Sequence, residues 1–426
     1  MARDKIIDVV VFGLEVGKLG YDFDKRKSFF QYNPDFLDSN QYTNLFPFVF
    51  KRIKQAQIFS EYQQDTFQGL PPMIADSLPD TFGNIIFQEW LTARGIQKIT
   101  PLEQLTYVSN RGMGAVEYKP ISKLPESSEV NIDSVINILE KVLKLKEATK
   151  GEDLSELSLL NVFKIGTSAG GARPKILISE HKETGAIIAG DREVSEAYNH
   201  YLVKLHIDDS DGYNKEKVEY VYYLLAQEAG IDMMPSKLIE NKHFATLRYD
   251  RQHGEKQHVL TVTGLTGWDF KSQPENSSYE NVFKVALGLK VPHKDLQQLF
   301  KRMVFNLIFK NVDDHLKNHS FIYNKESNNW NLSPAYDLTY ALNPLITFKT
   351  TSRALSINGK RTAINVKDLL LIADEFSIKN PMGIIGEVQA LIPRWVEIAN
   401  QFDVPENVIL SIQKEIKTIK GESLGF

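Results

Sequence analysis

Three polar side chains in the second half of the chain have the types and order that phosphoryl transfer requires. Asp313 and Asn318 stand in the run N-V-D-D-H-L-K-N, Asn311 to Asn318, and Asp337 follows in S-P-A-Y-D-L-T. One carboxylate orients or deprotonates an attacking hydroxyl, while an amide oxygen and a second carboxylate hold Mg²⁺ against the phosphates of ATP. Asp313 is then the candidate base, with Asn318 and Asp337 as candidate metal ligands. The bland alternative is a solvated helix C-terminus followed by a turn acid after Pro334. His315 taken alone reads as a structural loop histidine.

Several elements must position these groups. Asp295 to Phe309 is predicted as a helix running into the loop, and Trp330 to Leu332 as a short strand before Asp337. Upstream, Gly166 to Lys175 reads G-T-S-A-G-G-A-R-P-K and leads into the strand-like I-L-I-S. Gly170 and Gly171 would let backbone N–H groups approach phosphate oxygens. Their spacing matches neither the Walker A pattern nor G-x-G-x-x-G, and a flexible hairpin loop is the plain alternative. Ser168 on that loop offers a hydroxyl that could itself be phosphorylated. His200 to Leu205 alternates as a strand and carries Lys204, whose ammonium needs water or an anion; it is an edge-strand lysine or a phosphate contact. Lys217 to Glu228 is predicted as a helix with Glu219 in its first turn. Glu219 either pairs with the strand lysine, as in protein kinases, or simply favours the helix dipole. Two strands, Met234 to Ile239 and His243 to Tyr249, end in R-Y-D-R, where Asp250 either meets a ribose at a hinge or joins a surface ion-pair cluster.

The remaining chain supplies scaffolding. Lys5 to Leu14 and Leu19 to Phe23 read as strands around a turn at Val16 to Gly17, Ser28 to Tyr32 as a third, and Asp35 to Tyr42 as loop. Gly83 to Arg94 and Asp133 to Ala148 have helical apolar spacing, as do Val366 to Glu375, Glu387 to Phe402 and Glu406 to Ile419. The expected fold class is α+β, a bilobal protein-kinase-like fold. Residues 1–119 form an N-terminal mixed α/β module, 120–250 a strand-rich N-lobe, and 251–426 an all-helical C-lobe with the catalytic loop.

Composition bounds the function. With 426 residues and 42% hydrophobic content, the chain can build two or three cores. Fifty Lys plus Arg against 54 Asp plus Glu leave a net charge of −4, which argues against broad adhesion to nucleic acid or an anionic membrane. The absence of cysteine excludes disulfides, thiolate metal sites and thiol nucleophiles, and fits a reducing cytoplasm. No apolar stretch reaches membrane-spanning length and the first residues lack a cleavable signal pattern, so the expectation is a soluble, cytoplasmic protein.

In combination these motifs resemble the HipA family of bacterial serine/threonine kinases. The resemblance rests on G-G-A-R-P-K, Y-L-V-K-L, L-L-A-Q-E-A-G-I, R-Y-D-R, D-D-H-L-K-N and L-S-P-A-Y-D-L. S-L-P-D-T-F-G and N-R-G-M-G-A-V-E-Y add the family's N-terminal module, and L-S-I-N-G-K-R its C-terminal lobe. The resemblance implies Asp313 as catalytic base, Asn318 and Asp337 as Mg²⁺ ligands and Lys204 as an ATP phosphate contact. It sets His315 and Asp250 near the nucleotide and makes Ser168 the autophosphorylated serine. It further implies a toxin partnered by a helix-turn-helix antitoxin of the HipB type, DNA reached only through that partner, and an aminoacyl-tRNA synthetase as the best-known class of target. The alternatives are a kinase of this fold with a non-toxin or small-molecule substrate, and a catalytically silent binding subunit. Two features depart from other patterns: Asp314 stands where some relatives carry a small neutral residue, and Asp337 sits in Y-D-L, not in the D-F-G of ordinary protein kinases.

Overall fold

The β-branched run I-I-D-V-V-V forms β1, Ile6–Val11, which folds back onto β2, Leu14–Asp22. The turn lies at Phe12 and Gly13, whose φ values of 51° and 78° suit a two-residue hairpin. It does not lie at Val16 to Gly17 as the sequence suggested. Gly17 is inside β2, where an added Cβ would come 2.4 Å from the Gln31 carbonyl oxygen and 2.7 Å from the Phe30 ring. That glycine serves close packing, not a turn.

This computed structural model describes residues 6–79, 84, 87–88, 91–92, 95–96, 99–121, 136, 174–190, 195–207, 212–346 and 352–416. The helices expected at Gly83 to Arg94 (in part) and Asp133 to Ala148, and the glycine loop with Ser168, Gly170 and Gly171, lie outside those residues. The chain divides into two compact units: Met1–Ile207 with Ala245–Gly267 and Tyr323–Asn328, and Asp208–Phe244 with Trp268–Ile322 and Asn329–Phe426.

In the first unit, β3, Lys27–Tyr32, β4, Gln57–Phe59, and β5, Val116–Lys119, complete an antiparallel sheet in the order β4-β3-β2-β1-β5. Phe30, Tyr32, Phe36, Phe50 and Phe59 meet ring to ring in its core, mostly edge-on or tilted. Part of the expected loop at Asp35 to Tyr42 is instead the short helix Pro34–Asp38, since Asn33 caps it and Pro34 suits its first position. Helix Pro101–Val108 opens with a reciprocal Thr100–Glu103 capping box. A second antiparallel array sets β6, Lys175–His181, between β7, Ile187–Ala189, and β8, Tyr198–Lys204. Alternating apolar residues Ile176, Ile178, Tyr201 and Val203 are buried there.

The second unit is mostly helical. Helix Lys215–Glu228 is capped by Asn214, and helix His293–Ile308 carries the apolar stripe Leu296, Leu299, Phe300, Met303 and Val304. Tyr222, Phe305, Phe309 and Trp395 meet ring to ring at their junction. Helices Val366–Glu375, Pro381–Ala390, Arg394–Gln401 and Glu406–Glu415 follow. The stretch expected as one helix from Glu387 to Phe402 is two, because Pro393 has no N–H to continue the ladder.

Candidate active site

Helix His293–Ile308 delivers the chain to the site and stops through identifiable contacts. The Tyr222 hydroxyl donates to the Phe309 carbonyl at 2.6 Å, and Lys310 turns the chain at φ 57°. This is the left-handed conformation that commonly ends helices. The next two acids then meet opposite fates. Asp313 is exposed, whereas Asp314 is 1% exposed. The loop closes on itself: the His315 N–H donates to the Asp313 carbonyl at 2.9 Å, and a single 3₁₀ turn, Leu316–Asn318, follows. The Asn318 side-chain N–H₂ donates to that same carbonyl at 2.9 Å. With its nitrogen so held, the amide presents Oδ1 as its ligating atom.

Asp337 reaches the neighbourhood on a separate, tethered stretch. The Ala335 N–H donates to the Asp232 carbonyl at 2.7 Å, and Asn311 Nδ2 donates to the Asp337 carbonyl at 3.2 Å. Asp337 has a φ of 59°, unusual for a residue with a Cβ, and such strain persists only where surrounding contacts enforce it. Tyr336 ties the two stretches again, donating to the Lys317 carbonyl at 2.7 Å and pairing with the Ser320 hydroxyl. His315 lies in the field of both carboxylates. Burial, the larger influence, pushes its pKa down, while Asp313 and Asp337 oppose this. Its ring packs on Phe270 with centroids 4.5 Å apart. Thus Asp313, His315, Asn318 and Asp337 come together in the second unit. Glu219 belongs to the same unit and is buried in the second turn of its helix; the acid of the first turn is Glu216. The dipole role considered for Glu219 therefore passes to Glu216.

Lys204 lies in the first unit, at the end of β8, and is 8% exposed. Its register partner across the ladder is Lys175, itself 5% exposed. Directly opposed residues of an antiparallel pair project from the same face, and two cations so placed repel unless anionic groups lie nearby. Sequence reasoning passed over Lys175 as a candidate. The signal was available in the lysine closing G-G-A-R-P-K, but the cross-strand register was not. Asp250 is fully buried in the same unit. Its carboxylate accepts from Arg248 Nε at 2.9 Å and Nη2 at 2.7 Å, from Arg251 Nη1 at 2.8 Å and from the Gly114 N–H at 2.8 Å. Burial alone would raise its pKa, but the two guanidinium groups and these hydrogen bonds hold it well below the usual carboxylate range. R-Y-D-R is therefore a buried cluster, not the surface ion pairs that its composition suggested. Among the described residues no group of three or more His, Cys, Asp or Glu is arranged to hold a metal ion.

Comparison with known proteins places the chain. The HipA N-terminal domain model matches residues 7–119 and the HipA-like C-terminal domain model matches residues 167–419. The chain belongs to the HipA family. The HipA–HipB–operator DNA complex of the Shewanella oneidensis MR-1 toxin–antitoxin system contains a chain that superposes with a TM-score of 0.64 at 16% identity, over 96% of this chain and 95% of that one. The fold is accordingly the α+β fold of HipA. Among curated relatives, "Putative kinase Y4dM" of Sinorhizobium fredii is 25% identical over 185 residues, 40% of this chain and 44% of that protein. A DNA ligase of Prochlorococcus marinus is 26% identical over 199 residues, 47% of this chain and 25% of the ligase. The chain thus matches less than half the length of either relative. No helix among the described residues is long and apolar enough to cross a membrane.

Proposed function

We propose that this chain is an ATP- and Mg²⁺-dependent protein serine/threonine kinase of the HipA type. The observation that carries the reading is the pairing of an exposed acid, Asp313, with an amide locked onto its own carbonyl, beside a strained second acid tethered to the same loop. An acid, an amide and an acid held by main-chain anchors fit a nucleotide-bound metal better than a solvated turn, which needs neither the strain nor the tethers. Asn318 Oδ1 and the Asp337 carboxylate would hold the Mg²⁺, whose chemistry is to neutralise charge on the phosphates.

The chain's own residues divide the remaining work. The Asp313 carboxylate accepts the proton of the attacking hydroxyl and orients its oxygen. His315, its pKa lowered by burial, serves as a neutral hydrogen-bonding group beside it. Lys204, with Lys175 opposite, binds phosphate, and Glu219 counts among the nucleotide-binding residues. Gly170 and Gly171 are assigned to nucleotide binding, and Ser168 is assigned as a second acceptor; phosphate there would be repelled by the phosphates of ATP. Asp250 acts near the ribose through the backbone it fixes. In this division residues 1–119 are the N-terminal module, 120–250 the nucleotide-holding lobe and 251–426 the catalytic lobe. The protein substrate is a component of translation such as an aminoacyl-tRNA synthetase, with growth arrest as the outcome. The partner is a helix-turn-helix antitoxin of the HipB type that carries the DNA contact, and the setting is the cytoplasm.

The test is incubation of the purified chain with Mg²⁺ and labelled ATP, wild type beside Asp337→Ala and Ser168→Ala, with phosphosite mapping. Label on the wild type that vanishes in both variants is the expected result. ATP binding with no transfer to itself or to any protein would overturn the kinase in favour of a silent binding subunit.

A further inference from the structure

Asp314 has no part in the chemistry proposed above, yet it is buried and held by three groups. Arg353 Nη2 donates to its Oδ2, and so does the Tyr279 hydroxyl at 2.7 Å. The Leu355 N–H lies 3.5 Å from Oδ1. Tyr279 in turn accepts from Asn306 Nδ2 at 3.0 Å, Asn306 Oδ1 accepts from Asn311 Nδ2 at 3.1 Å, and that same nitrogen donates to the Asp337 carbonyl. Arg353, Tyr279, Asn306, Asn311 and Asp314 are all buried. The backbone repeats the linkage, since the Ala354 N–H donates to the Val312 carbonyl at 2.7 Å. Arg361 braces the segment from outside, donating to the Arg353 carbonyl at 3.0 Å and the Pro274 carbonyl at 2.7 Å.

We propose that this continuous buried network, Arg353–Asp314–Tyr279–Asn306–Asn311, positions the two stretches that carry Asp313 and Asp337 as one unit. The argument is electrostatic as well as geometric. A buried carboxylate next in sequence to a catalytic carboxylate would repel it if unpaired, and the Arg353 guanidinium offsets that charge. Asp314 is held inward by these partners, while Asp313, beside it at the turn closed by the His315 N–H, is exposed. Asn311 then fixes the carbonyl of the strained Asp337. These are positioning residues, and their use in phosphoryl transfer rests on the kinase reading.

The test uses the full chain with two readouts. Hydrogen exchange reads the network without any substrate: in Asn311→Leu and in Asp314→Asn, amides of residues 312–318 and 336–338 should lose about tenfold protection together, while helix Lys215–Glu228 keeps its own. Kinetics read its use: Arg353→Met should lower kcat about 100-fold with the KM for ATP nearly unchanged, and Arg353→Met/Asp314→Asn should recover part of that loss by removing the stranded charge. Arg353→Lys, which keeps the cation, should fall between wild type and Arg353→Met. Unchanged protection in both stretches, or protection lost in one alone, overturns the network. Lost protection with kcat unchanged in the folded variants overturns its positioning role. A wild type without phosphoryl transfer overturns the kinase reading instead, while the exchange result still decides whether the two stretches are coupled.

Discussion

Two buried aspartates, one in each unit, show how differently the same pair of residue types is used. Asp250 sits between Arg248 and Arg251, and Arg251 also donates to the Gly112 and Gly114 carbonyls, so the cluster clamps the glycine-marked bend of N-R-G-M-G onto the strand end. Every group there points inward and the cluster ends in itself. Asp314 is equally buried and equally paired with an arginine, but its chain neighbour Asp313 is exposed. The first arrangement fixes backbone; the second fixes backbone in order to present an acid. An acid–arginine cluster therefore reports on function only through the residue it leaves outside.

The sharpest way to break that contrast is to remove one acid of each kind. Asp313→Ala should reduce phosphoryl transfer by about 10²–10⁴-fold while changing unfolding free energy by no more than about 0.5 kcal/mol, since the side chain is exposed. Labelled-ATP kinetics beside urea denaturation would measure both; a large stability loss would erase the distinction. Asp250→Ala should instead cost stability first. Stranding Arg248 and Arg251 in a dry interior costs about 3–5 kcal/mol, read as a lower denaturation midpoint. An Asp250→Ala protein as stable as wild type would mean that the cluster is solvated after all.

How much of this was legible beforehand follows from the range over which each feature is determined. Helix Val366–Glu375 has the bounds that its apolar spacing predicts, and the structure adds an Asn365 cap, because spacing and capping are both local. The opposite fates of Asp313 and Asp314 were not legible, because the two residues are identical in type and adjacent. Their difference is set by Tyr279 and Arg353, well removed in sequence on either side. R-Y-D-R was misjudged on similar grounds: its partners Gly112 and Gly114 lie more than a hundred residues earlier. The pairing of Lys175 with Lys204 required a strand register, and register is fixed by which faces are buried, not by the lysines themselves.

Acid should separate the two kinds of buried group by pH. His200 and His258 are both lowered from about 6.5 to about 4, in each case chiefly by burial, with Arg248 and Arg251 adding to the effect at His200. Both are neutral in the fold and gain protons more readily once unfolded. Their contribution to stability is thus fully present above pH 6.5, declines as pH falls toward 4, and loses nothing more below that. Asp250 behaves oppositely in position: its contribution persists through this window and fails only below the ordinary carboxylate range. Melting temperature should therefore drop in two stages, and His258→Gln, which keeps a donor for the Leu45 carbonyl, should shrink the first stage alone. A single-stage decline would contradict the assignment.

The smallest effect is expected where an arginine and an acid meet in water. Arg394 donates to both oxygens of Glu228, at 3.0 and 2.6 Å, with geometry as good as that of Arg248 on Asp250. Both side chains are more than a third exposed, however, so solvent screens the attraction and the entropy of ordering two long side chains offsets much of the rest. Arg394→Ala should leave the melting temperature close to wild type, and the small difference should vanish in high salt. If Arg394→Ala instead destabilised the chain as severely as Asp250→Ala, hydrogen-bond geometry alone would set the strength of these clusters. Burial sets that strength: it makes the charges of Arg248 and Arg251 costly once Asp250 is gone, whereas Glu228 without Arg394 stays solvated.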